Sequence, residues 1–133
     1  MAEAFTFELV SPERLIFSGN ATEVVVPGTE GYFTVMKNHA PFMSTVKPGV
    51  VEATLDSGDA MKVFVRGGLA DVSPSGFTLL AEIAVPVGDL TTAMIDREIA
   101  NAREDLSLAN DDKRQSAQER VDQLNEVKSS LGL

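Results

Sequence analysis

Histidine is the side chain most often used as a general base near neutral pH, and this chain of 133 residues contains only one, His39. A Ser-His-Asp arrangement would therefore have to use His39, with Glu30 or Asp71 as the carboxylate partner. His39 lies in segment 38–41, which has the composition of a loop. A structural or interface histidine is the favoured interpretation, and a small hydrolase working through His39 is the less favoured alternative.

Metal and phosphate sites are not predicted. The chain has no cysteine and no HExxH pair of histidines, so zinc lacks its usual ligands. Residues 56–59 read Asp-Ser-Gly-Asp, which lacks the ligand pattern of a calcium loop and is typical of a tight turn. Neither GxxxxGK[ST] nor GxGxxG occurs, so no phosphate-binding loop is indicated. We expect no catalytic site, no metal and no tightly bound cofactor.

The charge balance excludes further classes of partner. Eleven basic and twenty acidic side chains give a formal net charge of −9. Nucleic acid and anionic lipid attract basic surfaces, so neither is expected as a direct partner. No apolar run approaches the ~18 residues of a membrane span, and the first residues do not resemble a secretory signal. Binding to another protein is the class of function that these observations do not exclude.

Residues 1–87 are predicted to form a β-sandwich domain. Between positions 5 and 85, short runs of β-branched and aromatic residues alternate with turn residues, which favours about nine or ten strands in an antiparallel sandwich or barrel. Residues 14–18 and 22–26 are expected to be separate strands, because Gly19 and Asn20 stand between them. The pair Gly67-Gly68 indicates a bulge or a close approach of two backbones.

Residues 88–133 are predicted to form an antiparallel hairpin of two α-helices. Asp89 or Thr91 can cap the first helix, and the run Asn110-Asp111-Asp112 offers a capped start for the second after a break near residues 108–111. Each helix carries one apolar stripe at helical spacing. The stripes comprise Ile95, Ile99, Ala102 and Leu106 in the first helix, and Ala117, Val121, Leu124 and Leu131 in the second, with Val127 near the seam.

The two stripes are narrow and contain alanine, so the hairpin should be only marginally stable by itself. A sandwich with such an arm presents two surfaces for binding other proteins. The arm can also adopt more than one position. The residues therefore predict an interaction module, or a switch. A freestanding adaptor or a ligand-binding sandwich with a helical tail remains an alternative to a subunit of a larger machine.

Five segments in the first 85 residues occur in a distinctive order: 7–19 (FELVSPERLIFSG), 24–31 (VVVPGTEG), 39–41 (HAP), 47–50 (KPGV) and 67–72 (GGLADV). In this order and spacing they closely resemble the epsilon subunit of the F-type ATP synthase, called delta in mitochondria. The resemblance is close through residue 85 and extends to the helical part as architecture.

The resemblance implies a non-catalytic subunit of the central stalk, or rotor. In that family the sandwich packs on the gamma subunit and on the loops of the membrane c-ring, and it helps to couple rotation to ATP synthesis. A peripheral location at the cytoplasmic face of the bacterial inner membrane follows from these partners. A rotor joint needs a stiff body and fixed contacts, which agrees with the absence of a predicted active site.

The resemblance also implies which residues contact these partners. The candidates are Glu30, Gly31, Tyr32, His39 and Pro41. For Gly31 and Pro41, a role in setting backbone angles is an equal alternative. Many relatives carry an acidic residue where this chain has Tyr32, so an aromatic contact would replace a salt bridge at that position.

In many bacterial relatives the helical hairpin is a regulatory arm that blocks ATP hydrolysis when it extends into the alpha/beta catalytic head. Some relatives bind ATP through an Ile/Leu-Asp-x-x-Arg-Ala motif. Here the motif reads IDREIA, with Ile99 at the arginine position, so ATP binding is not expected. Any weak nucleotide contacts would come from Ile95, Asp96, Arg97, Ala100 and Arg103.

The second helix also lacks the basic character of strongly inhibitory relatives. Residues 111–131 hold four basic and five acidic side chains, a net charge of −1. Attraction to an acidic segment of the catalytic head would be feeble. We therefore expect the arm to inhibit hydrolysis weakly or not at all.

Overall fold

The computed structural model describes residues 3–133 and contains nine strands followed by two α-helices. The chain divides into two compact units, one ending at Val87 and the next beginning at Gly88. A short 3-10 helix covers Val87–Asp89. The elements are β1 (Phe5–Val10), β2 (Leu15–Gly28), β3 (Gly31–Val35), β4 (Phe42–Val46), β5 (Gly49–Leu55), β6 (Ala60–Val65), β7 (Gly68–Ser73), β8 (Gly76–Ala81), β9 (Ala84–Pro86), α1 (Thr92–Leu108) and α2 (Asp111–Ser130).

Strand β2 joins the two layers of the sandwich. Its first half pairs with β1, and its second half pairs with β3 and β5. One layer therefore contains β1, β8, β7 and β4, and the other contains β3, β5, β6 and β9. The predicted β-sandwich is confirmed, but one pairing differs from the antiparallel expectation because β1 and β8 run parallel.

The expectation of separate strands at 14–18 and 22–26 is wrong, because β2 continues through Gly19 and Asn20. Gly19 pairs with Phe7, and a Cβ at Gly19 would lie 2.8 Å from the Phe17 ring. The glycine therefore makes room for an aromatic ring inside a strand instead of forming a turn. The structure also contains a strand that was not predicted as a separate element, β9, which pairs with β6.

The core of the sandwich lies between its two layers and consists of the inward side chains of alternate strand residues. Phe7 is fully buried, stacks on Phe77 at 5.4 Å between ring centroids, and contacts Phe17 at 5.7 Å. Valine and alanine fill most of the remaining volume. This packed interior gives the sandwich the rigidity that a fixed docking surface needs.

The helical unit follows its sequence pattern in part, because the predicted stripe residues Leu106, Ala117 and Leu131 are only partly buried and Leu131 lies just past the end of α2. Thr91 caps α1 by accepting a hydrogen bond from the Met94 N–H, and Asn110 caps α2 by accepting one from the Lys113 N–H. The helices pack on each other. Their buried residues are Ile95, Ile99 and Ala102 in α1, and Val121, Leu124 and Val127 in α2. Neither helix is long and apolar enough to cross a membrane.

Candidate docking surface

Glu30 and Gly31 lie at the tip of the hairpin that joins β2 to β3. Only Thr29 and Glu30 separate the paired residues Gly28 and Gly31. The Thr29 N–H donates to the Thr45 carbonyl at 3.1 Å, and the two threonine hydroxyls are 2.8 Å apart. These bonds fix the tip and leave the Glu30 side chain exposed. Gly31 has a φ of +131°, so its backbone conformation by itself favours glycine.

Tyr32 follows this tip and presents an aromatic ring to solvent. Its side chain is 57% exposed, and the Lys47 Nζ lies 5.3 Å from the ring centroid. A cation at this distance is attracted by the face of the ring. The tip of the hairpin therefore combines a carboxylate with an amphipathic aromatic side chain and a neighbouring ammonium group.

His39 and Pro41 lie at the opposite end of the sandwich, in the loop between β3 and β4. The His39 Nδ1 lies 2.7 Å from the Ala40 carbonyl oxygen, which can only accept, so Nδ1 carries the hydrogen. Strand β3 runs between the Glu30 tip and this loop and spans about 13 Å at the usual rise per residue. The five predicted contact residues therefore divide into two groups.

This separation also bears on the hydrolase alternative. Glu30 is at the other end of the sandwich from His39, so the structure does not bring that pair together. Asp71 lies within β7, where it pairs with Met43 and Thr78. Among residues 3–133, no group of three or more His, Asp or Glu side chains is placed to hold a metal ion.

The outward surface of the layer formed by β1, β4, β7 and β8 was not predicted as a site, and we call it the outer face. A row of apolar residues crosses this face through successive strand pairings. Leu15 pairs with Val10, Val10 with Leu80, and Leu80 with Leu69. Leu15 and Leu80 are 53% and 47% exposed, so this apolar row is open to solvent.

Met43 extends the apolar surface beyond the row. It lies on β4, two residues before the partner of Leu69, and is 61% exposed. Apolar patches of this kind on a protein surface mark contacts with other molecules. The sequence signal for this apolar surface was a pair of consecutive leucines in β8. Leu79 is buried and Leu80 is exposed.

The predicted nucleotide contacts of the hairpin are distributed over different surfaces of α1. Ile95 is fully buried. The Asp96 carboxylate accepts a hydrogen bond from the Lys128 Nζ at 2.6 Å, an ion pair between α1 and α2. Arg97, Ala100 and Arg103 are exposed. The carboxylate of the nucleotide motif therefore already forms an ion pair with a lysine of the same unit.

Comparison with known proteins gives consistent matches. Residues 4–87 match the family described as the ATP synthase delta/epsilon chain, beta-sandwich domain. The chain is 51% identical over 132 residues to the ATP synthase epsilon chain of Parvibaculum lavamentivorans, an alignment that covers 98% of this chain and 100% of the relative. It is 49% identical over 127 residues to the epsilon chain of Sinorhizobium medicae, covering 96% and 95% of the two chains.

The fold is similar to that of a chain in the cryo-EM structure of Euglena gracilis mitochondrial ATP synthase that contains OSCP, F1 and the c-ring. The TM-score is 0.74 at 17% identity, and the match covers 96% of this chain and 81% of the other. A chain in the central stalk and c-ring structure of Tetrahymena thermophila mitochondrial ATP synthase matches with a TM-score of 0.55 at 10% identity, covering 90% and 98%.

Proposed function

The chain belongs to the delta/epsilon family of ATP synthase chains, and from this we propose that it is a non-catalytic subunit of the rotor that couples rotation of the c-ring, through gamma, to ATP synthesis. The sandwich is the rigid body of this joint. Its partners hold it at the cytoplasmic face of the bacterial inner membrane as a peripheral subunit.

The observation that carries the proposal is the exposed apolar row on the outer face. Leu15 and Leu80 in the row, and Met43 beside it, are each about half exposed or more on a rigid sheet. Burying such residues against a partner contributes roughly 25 cal/mol for each Å² of apolar area removed from water. We assign the outer face to gamma, because a shaft that turns with the subunit requires a broad contact between two stiff surfaces.

The hairpin tip with Glu30 and Tyr32 is assigned to the loops of the c-ring. The tip is fixed by its bonds to Thr45 and projects a carboxylate. Tyr32 contributes contact area where a carboxylate would contribute charge, and Lys47 beside its ring offers a cation to the same partner.

The helical hairpin is assigned a weak regulatory role at the catalytic head that does not require ATP. The net charge of −1 over residues 111–131 gives it little attraction to an acidic partner. The ion pair between Asp96 and Lys128 ties the first turns of α1 to the last turn of α2, and Ile99 occupies the arginine position of the nucleotide motif. These features support an arm whose two helices are held together by its own side chains.

A single substitution on the outer face tests the proposed function. We expect Leu80→Asp in the full chain to weaken binding to the gamma subunit at least tenfold, because it places a charge in a contact that must lose water. Binding is measured by titrating labelled chain with purified gamma.

Leu108→Asp is the matched control, since Leu108 is 77% exposed at the end of α1 and belongs to the helical unit. It should bind gamma like the unchanged chain. If the unchanged chain ignored gamma and behaved as an indifferent monomer, a freestanding adaptor would replace the rotor subunit as the function.

A further inference from the structure

A cavity of about 450 Å³ opens at the end of the sandwich that carries the loop between β3 and β4. Its walls come from the start of β1, that loop, and the turn between β7 and β8. Its volume lies in the range that holds a side chain or a small ligand. The floor is apolar and consists of the buried side chains of Phe5, Val35, Val72 and Phe77.

The loop that forms one wall is held in a defined conformation. The His39 N–H donates to the Met36 carbonyl at 3.1 Å, and Asn38 adopts a φ of +69°. Asparagine tolerates this left-handed conformation better than most residues. The His39 ring lies 6.1 Å from the Phe42 ring, which contacts Phe33 edge-on.

The opposite wall is also fixed by short contacts. The Ser73 hydroxyl lies 2.8 Å from the Ser75 hydroxyl and donates to the Gly76 carbonyl at 3.2 Å. The cavity is therefore present before any partner arrives, which reduces the entropy lost on binding.

The charges around the cavity differ from those of the chain as a whole. Twenty of the 133 residues are acidic, yet none of the residues that line the cavity is an aspartate or a glutamate. The lining includes Lys37 and His39, together with Asn20, Asn38 and the two serines of the turn. These groups supply one permanent cation, an imidazole and several neutral donors, so the cavity favours an anionic group above an apolar floor.

We propose that this cavity receives an acidic side chain of the protein that docks on the outer face, a proposal that rests on the proposed function. Part of the cavity lining, namely Thr6, Ser73 and Gly76, belongs to the same strands that form the outer face. Thr6 pairs with Asn20 and Ser73 pairs with Gly76, and these residues follow the apolar row along the same strands. From Leu80 to Gly76 is about 13 Å along β8. A partner that covers the apolar row therefore reaches the cavity without a second point of attachment.

The test measures binding of the full chain to gamma as a function of salt. Lys37→Glu should weaken binding about tenfold at low ionic strength, and the difference should shrink at high salt because the lost attraction is screened. Lys113→Glu makes the same change of charge on the exposed start of α2 and should bind like the unchanged chain. A charge-reversed acidic residue in gamma that restores binding to Lys37→Glu would identify the side chain that enters the cavity.

The outcomes separate this proposal from the proposed function. If Leu80→Asp weakens binding and Lys37→Glu does not, the outer face binds gamma and the cavity proposal is wrong. If the unchanged chain binds gamma and neither variant weakens that binding, the assignment of the outer face to gamma and the cavity proposal are both wrong; if the unchanged chain does not bind gamma, the proposed function itself is wrong. If acetate or inorganic phosphate shifts the NMR signals of loop residues 36–41 in the isolated chain at millimolar concentration, while Lys37→Glu leaves gamma binding unchanged, the cavity is a site for free anions instead.

Discussion

Gly68 shows how a single backbone position constrains the sandwich. Its φ is +151°, and a Cβ there would collide with the carbonyl oxygen of Leu80 in the neighbouring strand β8. The pair Gly67-Gly68 predicted a bulge or a close backbone approach, and the close approach is confirmed. Gly68 also begins β7 and pairs with Val46 and Ala81, so the same residue sets the start of two strand pairings.

We expect Gly68→Ala to lower the free energy of unfolding by about 2 kcal/mol or more, because alanine adds both the strain of a left-handed conformation and a clash with fixed backbone. Urea denaturation followed by circular dichroism measures this change. Gly88→Ala is the control, since nothing lies within 4 Å of a Cβ at Gly88. Its effect should stay within about 0.5 kcal/mol, and equal losses for the two variants would contradict the argument.

Local contacts could be predicted from the sequence and distant ones could not. The caps at Thr91 and Asn110 depend on residues three positions ahead, and both are confirmed. The ion pair between Asp96 and Lys128 joins residues 32 positions apart, and no spacing rule connects them. The predicted contacts of Glu30, Tyr32, His39 and Pro41 with partner subunits stay predictions.

At the scale of elements, the errors in the strand predictions share one cause. A glycine inside a strand looks like a turn in the sequence, but at Gly19 it accommodates the Phe17 ring. The parallel pairing of β1 with β8 also depends on residues far apart in the chain. The outer face was not predicted, for a related reason. A strand with apolar residues on both faces looks in the sequence like a fully buried strand, and only the structure shows that one face is exposed.

The helical hairpin gives a functional prediction at this scale. The full chain should reduce ATP hydrolysis by the matching catalytic head by less than twofold, because residues 111–131 carry a net charge of −1 and attract an acidic partner poorly. The measurement compares the full chain with a version that ends after residue 88, near the boundary between the two compact units. Strong suppression by the full chain alone would show that the arm inhibits through contacts other than charge.

At the scale of the whole molecule, the sandwich distributes its proposed contacts over three places. The tip with Glu30 is at one end, the cavity beside His39 is at the other, and the apolar row crosses the outer face. A rigid body with separate contact surfaces can transmit torque between two partners without chemistry of its own. The β-then-α organisation followed from residue periodicity, whereas the placement of these surfaces required the strand order.

The central claim, that the outer face is the surface held by gamma, is tested most directly by oxidative footprinting of the full chain with and without gamma. Met43 is 61% exposed on the outer face, and Met94 is 39% exposed on α1. Oxidation of Met43 should slow at least fivefold in the complex, while Met94 serves as the internal reference for the dose. A Met43 oxidation rate that is the same in the free chain and in the saturated complex would contradict the claim.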